Sequence, residues 1–280
     1  MIEVFLALGS ALLYGAADFC GGLAAKRTAM IAVTVLSQTA GFAVLLIAIA
    51  FFPGRAVASD YIYGGIAGIF GGIGIALLYH ALSIGKMGVV SPITAVIAAA
   101  VPVSIGVARG EHLQTLQYAG IAIALAAIVL ISFSLEDGGL REISTVGVRE
   151  AILSGFLIGG FLFFLAQTNH AAGIHNLIGA RVTSILVLLA AGAATKTNFR
   201  FERPALPLIL LSGTLDMSAN VLYVLATFNG YLSIAAVLTS LYPASTVFLA
   251  RLVLRERLAF SQKCGVALAL VGVLLIAFRR

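Results

Sequence analysis

The sequence predicts an all-α polytopic membrane protein, with ten transmembrane helices arranged as two inverted-topology five-helix repeats. Three observations carry this expectation. The 280 residues are 61% hydrophobic and 10% charged, with a mean hydropathy of +1.11, whereas soluble domains average roughly half apolar and a quarter charged. The apolar residues gather into ten runs of spanning length. The chain also matches itself, without a gap, at an offset of 145 residues.

The runs fall at roughly 3 to 23, 31 to 51, 61 to 83, 88 to 108, 116 to 134, 150 to 170, 175 to 194, 206 to 228, 233 to 252 and 262 to 278. At about 20 residues per spanning helix, ten helices leave about 80 residues for connections and ends, so no soluble domain fits. The first run opens Met1, Ile2, Glu3, with no basic residue ahead of it, and reads as a retained helix rather than a cleaved signal. Continuous apolarity, without the in/out alternation of barrel strands, selects helices, which satisfy their own backbone groups in lipid. Short connections make sequential helices antiparallel neighbours, and the one longer polar stretch, Glu136 to Glu150, falls near the middle of the chain.

At the 145-residue offset Gly15 meets Gly160, Phe19 meets Phe164, Gly68 meets Gly213, Ala81 meets Ala226, Gly85 meets Gly230, and Thr94 meets Thr239. The strongest stretch aligns GEHLQTLQYAGIAIAL with RERLAFSQKCGVALAL, where Glu111, Leu113, Gln117 and Gly120 match Glu256, Leu258, Gln262 and Gly265. Two repeats follow, residues 1–138 and 146–280. Five spans per copy is an odd number, so the second copy enters the membrane from the opposite side. Inverted repeats place a substrate site near the bilayer midplane and permit alternating access, which makes transport the expected function.

Particular residues add a resemblance. A YGAADF...K run ending the first helix, and a GE.L...Q..G element opening the fifth and tenth, resemble the drug/metabolite transporter (DMT) superfamily, specifically bacterial EamA-type permeases. The resemblance covers nearly the whole chain and implies a multi-pass transporter of the bacterial inner membrane, from a group linked to export of amino acids, drugs and diverse metabolites. Tyr14 and Gly15 stand where the family often has Trp-Gly. Arg181 matches a family arginine early in the second helix of each repeat, with Leu36 at the partner position. Pro243 faces Ala98, with Pro102 one turn later.

Candidate site residues lie inside the spans. Nine of the eleven acidic residues are in loops or at span ends, leaving Asp18 and Asp216 within hydrocarbon, where an ionisable group is a functional candidate. Asp18 is about 12 Å before Lys26 and Asp216 about 14 Å beyond Pro207, both measured from the same basic side, so the two can face one cavity. Asp216, Asn220, Tyr223 and Thr227 form one helical stripe, and Ser10, Tyr14 and Asp18 another. Low dielectric disfavours a charged carboxylate, which suits proton exchange, and the longer stripe ranks Asp216 above Asp18. The competing reading is that these groups only hydrogen-bond between helices.

Tyr79 is a further candidate for shaping the cavity. His80 is a candidate proton carrier, balanced against a position near the membrane surface. Arg181 is expected to snorkel to the surface. Gly64, Gly68 and Gly72, like Gly155 and Gly159, form small-xxx-small steps best read as packing within the chain, with dimerisation second. Glu111 and Glu256 precede the last helix of their repeats and suit a structural role at its N-terminus. Cys20 and Cys264 suggest no disulfide framework.

The leading function is a secondary transporter exporting a small organic metabolite or cation, with protons as candidate counter-substrate. The alternative is an uncoupled facilitator of a neutral or zwitterionic metabolite such as an amino acid. An enzyme is disfavoured, since no span carries a metal-ligand cluster or a nucleophile with an orienting base. No GxxxxGK[ST] loop is present, and no cofactor, metal or nucleic acid is expected. The expected partners are a small-molecule substrate, protons and membrane lipid, with the chain a monomer or homodimer.

Orientation follows from the basic residues. Arg55, Arg109, Arg279 and Arg280 lie on the side of the N-terminus, and 12 Lys and Arg lie on the other. The positive-inside rule then puts both termini outside, against the cytoplasmic termini more often described for the family. A reporter fused after Arg280 is expected to read as extracytoplasmic. A cytoplasmic reading would show that the charge count does not set the topology.

Overall fold

The structure, a computed structural model, describes residues 2–85, 87–132, 146–200, 202–254 and 260–277. Lys86, Glu256 and most of the Glu136 to Glu150 stretch lie outside the described residues. The first repeat contributes α1 (Ile2–Ala25), α2 (Met30–Ile49), α3 (Ala58–Ile84), α4 (Met87–Ala108) and α5 (Thr115–Ser132). The second contributes α6 (Val148–Leu165), α7 (Asn176–Ala194), α8 (Leu206–Asn229), α9 (Leu232–Thr239), α10 (Tyr242–Leu254) and α11 (Phe260–Ala277). Among the described residues, eight stretches are long and apolar enough to cross a membrane, counting α9 and α10 as one, Leu232–Val253. The apolar parts of α5 and α11 are shorter, Thr115–Ile128 and Lys263–Gly272, and these two helices pack on each other. Large apolar side chains such as Phe5, Leu12, Phe248 and Leu274 face outward, as a lipid-facing surface requires.

Helix pairing carries the symmetry. α1 packs on α8 and α3 on α6; α2 packs on α8 and α3 on α7. Exchanging the halves turns each of these pairs into its partner and leaves α5–α11 and α2–α7 unchanged. That is the signature of a pseudo-two-fold axis. Five spans per repeat, an odd number, would carry the second copy through a bilayer in the opposite sense and put that axis in the membrane plane.

Two glycines related by the 145-residue offset permit the close crossings. A Cβ on Gly68 would collide with the Ala180 carbonyl oxygen on α7, and one on Gly213 with the Ser37 carbonyl oxygen on α2. The small steps along α3 are therefore filled by α7 of the same chain, and those of α6 by α4.

Two spans depart from the sequence expectation. The sixth ends at Leu165 rather than near residue 170, because polar side chains take up the helix-end carbonyls. Gln167 donates to the Phe163 oxygen at 3.2 Å and Thr168 to the Leu165 oxygen at 3.1 Å, the local competition expected of such residues. The ninth, expected to be one helix, breaks between Thr239 and Tyr242. Pro243 brings no N–H to the Thr239 carbonyl four residues back, and its ring crowds that carbonyl.

Two acids, Asp60 in the first turn of α3 and Glu111 in the connection before α5, hold the ends together. Asp60 accepts from Val57 N and from Asn169 N, both at 2.9 Å, tying α3 to the connection after α6. The Glu111 carboxylate accepts from Leu232 N at 2.9 Å and Ser233 N at 3.3 Å, so it caps α9. The helix it serves thus belongs to the opposite repeat and is not α5, which it precedes; Gln117 instead accepts from Gln114 N at the start of α5.

Gly213→Ala is expected to cost roughly 1–3 kcal/mol, as overpacking does, and to lower the thermal midpoint of the purified protein. Gly65→Ala, whose Cβ would meet only the Thr183 hydroxyl at 3.2 Å, is the control and should shift it little.

Candidate functional site

α1, α2, α3, α6, α7, α8 and the broken ninth span converge on a cavity whose empty volume, mouth included, is about 660 Å³. α1 brings Tyr14 and Asp18, one turn apart, and α8 brings Asp216 and Asn220 at the same spacing. α2 adds Gln38, α7 adds Arg181 and Ser184, and the broken ninth span adds Ser240 and Tyr242. Gly15, between Tyr14 and Asp18, lets α1 lie directly on the first turn of α10, since a Cβ there would collide with the Tyr242 carbonyl oxygen. The rest of the wall is largely apolar.

A continuous polar chain runs along one side. Tyr14 Oη donates to Asn220 Oδ1 at 2.9 Å. Asn220 Nδ2 donates to the Asp216 carbonyl oxygen at 2.7 Å and to its Oδ2 at 3.3 Å. Arg181 Nη2 pairs with Asp216 Oδ2 at 2.5 Å, and its Nη1 donates to Gln38 Oε1. Ser184 Oγ reaches the same Gln38 oxygen at 3.2 Å. Four helices, α1, α8, α7 and α2, are thereby joined through one buried ion pair.

Arg181 was expected at the membrane surface; it is 5% exposed and its guanidinium turns inward. Burial of a guanidinium demands a partner, and Asp216 supplies it. Asp216 is consequently not a lone carboxylate. The expectation that ranked it above Asp18 rested on its longer polar stripe; the pairing leaves Asp18 as the unpartnered carboxylate of the two. Asp18 is 3% exposed, lines the cavity, and makes no hydrogen bond or ion pair among the described residues.

Three further candidates lie outside the lining. Tyr79 Oη donates to Ser212 Oγ at 2.8 Å, and Ser212 donates onward to the Ala17 carbonyl at 2.9 Å, so it ties α3, α8 and α1 together behind Asp18. Tyr223 Oη donates to the Leu162 carbonyl at 3.0 Å, holding α8 to α6; it shares a helical face with Asp216 but sits two turns along, where α6 crosses. His80 is half-buried near the end of α3. It falls off the stripe of Gly68, Gly71, Gly72, Ile75 and Leu78 that α3 turns to the cavity.

Sequence reasoning did not select Gln38, Ser184, Ser240 or Tyr242. Single hydroxyls and amides inside a span are common packing groups, and only three-dimensional convergence sets these apart. Arg181 carried a signal, the match to the family arginine, which the snorkelling argument outweighed.

The comparisons agree with this geometry. The EamA-like transporter family matches residues 1–133 and 145–278. An uncharacterised protein of Methanocaldococcus jannaschii is 27% identical over 131 residues, 45% of this chain and 96% of its own length. A solved crystal structure superposes with a TM-score of 0.70 at 15% identity, covering 98% of this chain and 96% of that one, which shows the same fold. Two family repeats spanning nearly the whole chain, in an all-helical bundle around a central cavity, make this multi-pass membrane protein a member of the EamA-like transporter family, a family of transporters and not of enzymes.

Proposed function

We propose that the chain is a secondary transporter of the cell membrane that exports a small organic cation or zwitterion, with proton and substrate competing for Asp18. The observation that supports this most is the unpartnered, buried carboxylate of Asp18 facing the cavity. An ionised carboxylate in low dielectric is costly unless it meets a positive charge or a proton. Either occupant satisfies it, and both cannot do so at once. One site therefore exchanges the two without a separate proton path. Asp216, already neutralised by Arg181, orients the cavity wall in this scheme, together with Tyr14 and Asn220. The inverted repeat supplies alternating access, because exchange of the two halves' conformations moves the opening from one face to the other.

Asp18→Asn is expected to abolish pH-gradient-driven flux in proteoliposomes while the protein still inserts and folds. If the variant kept full gradient-driven transport of a verified substrate, proton competition at Asp18 would be wrong. Flux in the parent protein that ignored the gradient would favour uncoupled facilitation instead.

Arg181→Ala should act differently. It strands Asp216 as a buried unpaired charge, a loss of about 3–5 kcal/mol in comparable buried pairs, read as a large drop in the thermal midpoint. Replacing both partners, Arg181→Met with Asp216→Leu, is expected to recover most of that stability.

A further inference from the structure

We infer that the corner where the α7–α8 connection passes the start of α2 binds the phosphate headgroup of an anionic membrane phospholipid. α2 packs on both α7 and α8, so the connection from Thr195 to Ala205 spans the end of α2. Phe199 seats there: a Cβ on Gly192 of α7 would meet the Phe199 ring at 2.5 Å and Ile31 of α2 at 3.3 Å. Ala24, Val33, Ala205 and Ile209 share one buried apolar cluster, which brings the end of α1 and the starts of α2 and α8 together. The connections at this cluster carry Lys26, Arg27, Lys196, Arg200 and Arg203, all exposed. None of these cations is in an ion pair among the described residues, and Glu202 is the one acid in the two connections.

The equivalent corner on the other face supplies its own anion. There Asp60 accepts from Asn169 N at 2.9 Å, and the Asn169 side chain accepts from Ala171 N at 3.1 Å, so an acid and an amide of the chain serve the approach to α7. At the 145-residue offset Ala205 stands in place of Asp60, Ala24 in place of Asn169, and Lys26 and Arg27 in place of Ala171 and Ala172. The corner at α2 therefore lacks the carboxylate and carries cations instead. No side chain caps α2, whose N-cap is Ala29. Thr28 beside it is 7% exposed, with a hydroxyl that has no partner. The first amides of a helix carry partial positive charge, so this place calls for an anion that the chain does not provide. A lipid is the source that fits. Leu189 on α7 and Leu210 and Leu211 on α8 are exposed within about two helical turns of the cations, an apolar surface for acyl chains beneath a headgroup held at the rim. Basic residues at the edge of a span draw anionic lipid to such a place.

The test uses the purified full-length chain in detergent and thermal stabilisation by added lipid, titrated to give apparent dissociation constants. Dioleoylphosphatidylglycerol is set against dioleoylphosphatidylcholine, which has the same acyl chains and no net charge, and against sodium phosphate at matched ionic strength. The anionic lipid should bind about tenfold more tightly than the zwitterionic one, the scale of a few basic side chains meeting one headgroup. Sodium phosphate should stabilise less than the anionic lipid. Arg27→Gln with Arg200→Gln and Arg203→Gln should remove the preference and leave the phosphatidylcholine response unchanged. Arg149→Gln with Arg251→Gln and Lys263→Gln makes the same change in net charge at exposed residues elsewhere on that face, and should keep the preference. All these side chains are exposed, and each variant is read against its own lipid-free midpoint. Equal binding of the two lipids, or a preference that survives the first triple variant, would overturn the inference. Equal loss in both triple variants would overturn it too, by reducing the effect to the general charge of the face. A phosphate response as large as that of the anionic lipid would make the corner a free-anion site and overturn the lipid assignment.

Discussion

Hydrocarbon offers no hydrogen bond to a backbone amide, a carboxylate or a guanidinium, so each polar group within the spans must find its partner inside the chain. Much of the architecture follows from that requirement. Helices satisfy the backbone within each segment, and glycines such as Gly68 and Gly213 let those helices approach until one backbone lies on another. Arg181 and Asp216 sit deep in the bundle because each is the other's solution to burial, with Gln38, Asn220 and Tyr14 completing the set. The requirement goes unmet at buried atoms of Thr28, Ser91, Asn176 and Ser233, which do not line the cavity, and also at Asp18, Ser240 and Tyr242, which do. Irregular backbone at membrane depth is tolerated in that setting, and the break before Pro243 occurs there.

The two repeats are alike in path and unlike in chemistry. Equivalent helices pair in equivalent ways around the pseudo-two-fold axis, and Glu111 caps the first turn of α9 in the opposite half. The archaeal relative is matched over nearly all of its own length by less than half of this chain, so a single repeat's worth of sequence stands there as a whole protein. Duplication within one chain releases the halves from identity. Here Asp18 lies in the first half, and Arg181, Asp216, Ser240 and Tyr242 in the second. The cavity is asymmetric although the scaffold around it, the broken ninth span apart, is not.

The sequence by itself determined the membrane class, the positions of the spans and the repeat. These depend on local hydropathy and on self-similarity, both of which are written linearly. It also singled out Asp18 and Asp216, since an acid in an apolar run is conspicuous without knowledge of its neighbours. Only the tertiary structure decided which carboxylate is paired. The span positions of Arg181 and Asp216, 35 residues apart in sequence, leave open whether a long side chain turns toward lipid headgroups or toward an acid on the next helix. The same holds for Glu111, whose partner helix begins 121 residues later. Tyr223 reads as a cavity residue from helical periodicity and Tyr79 from its place in the third span, and neither signal fixes what packs on the side chain; Tyr79 reached Ser212 and Tyr223 the Leu162 carbonyl. The break in the ninth span had its local cause in Pro243, yet Pro102 lies inside an unbroken helix. Proline permits a break, and the surroundings of the freed backbone decide whether one forms.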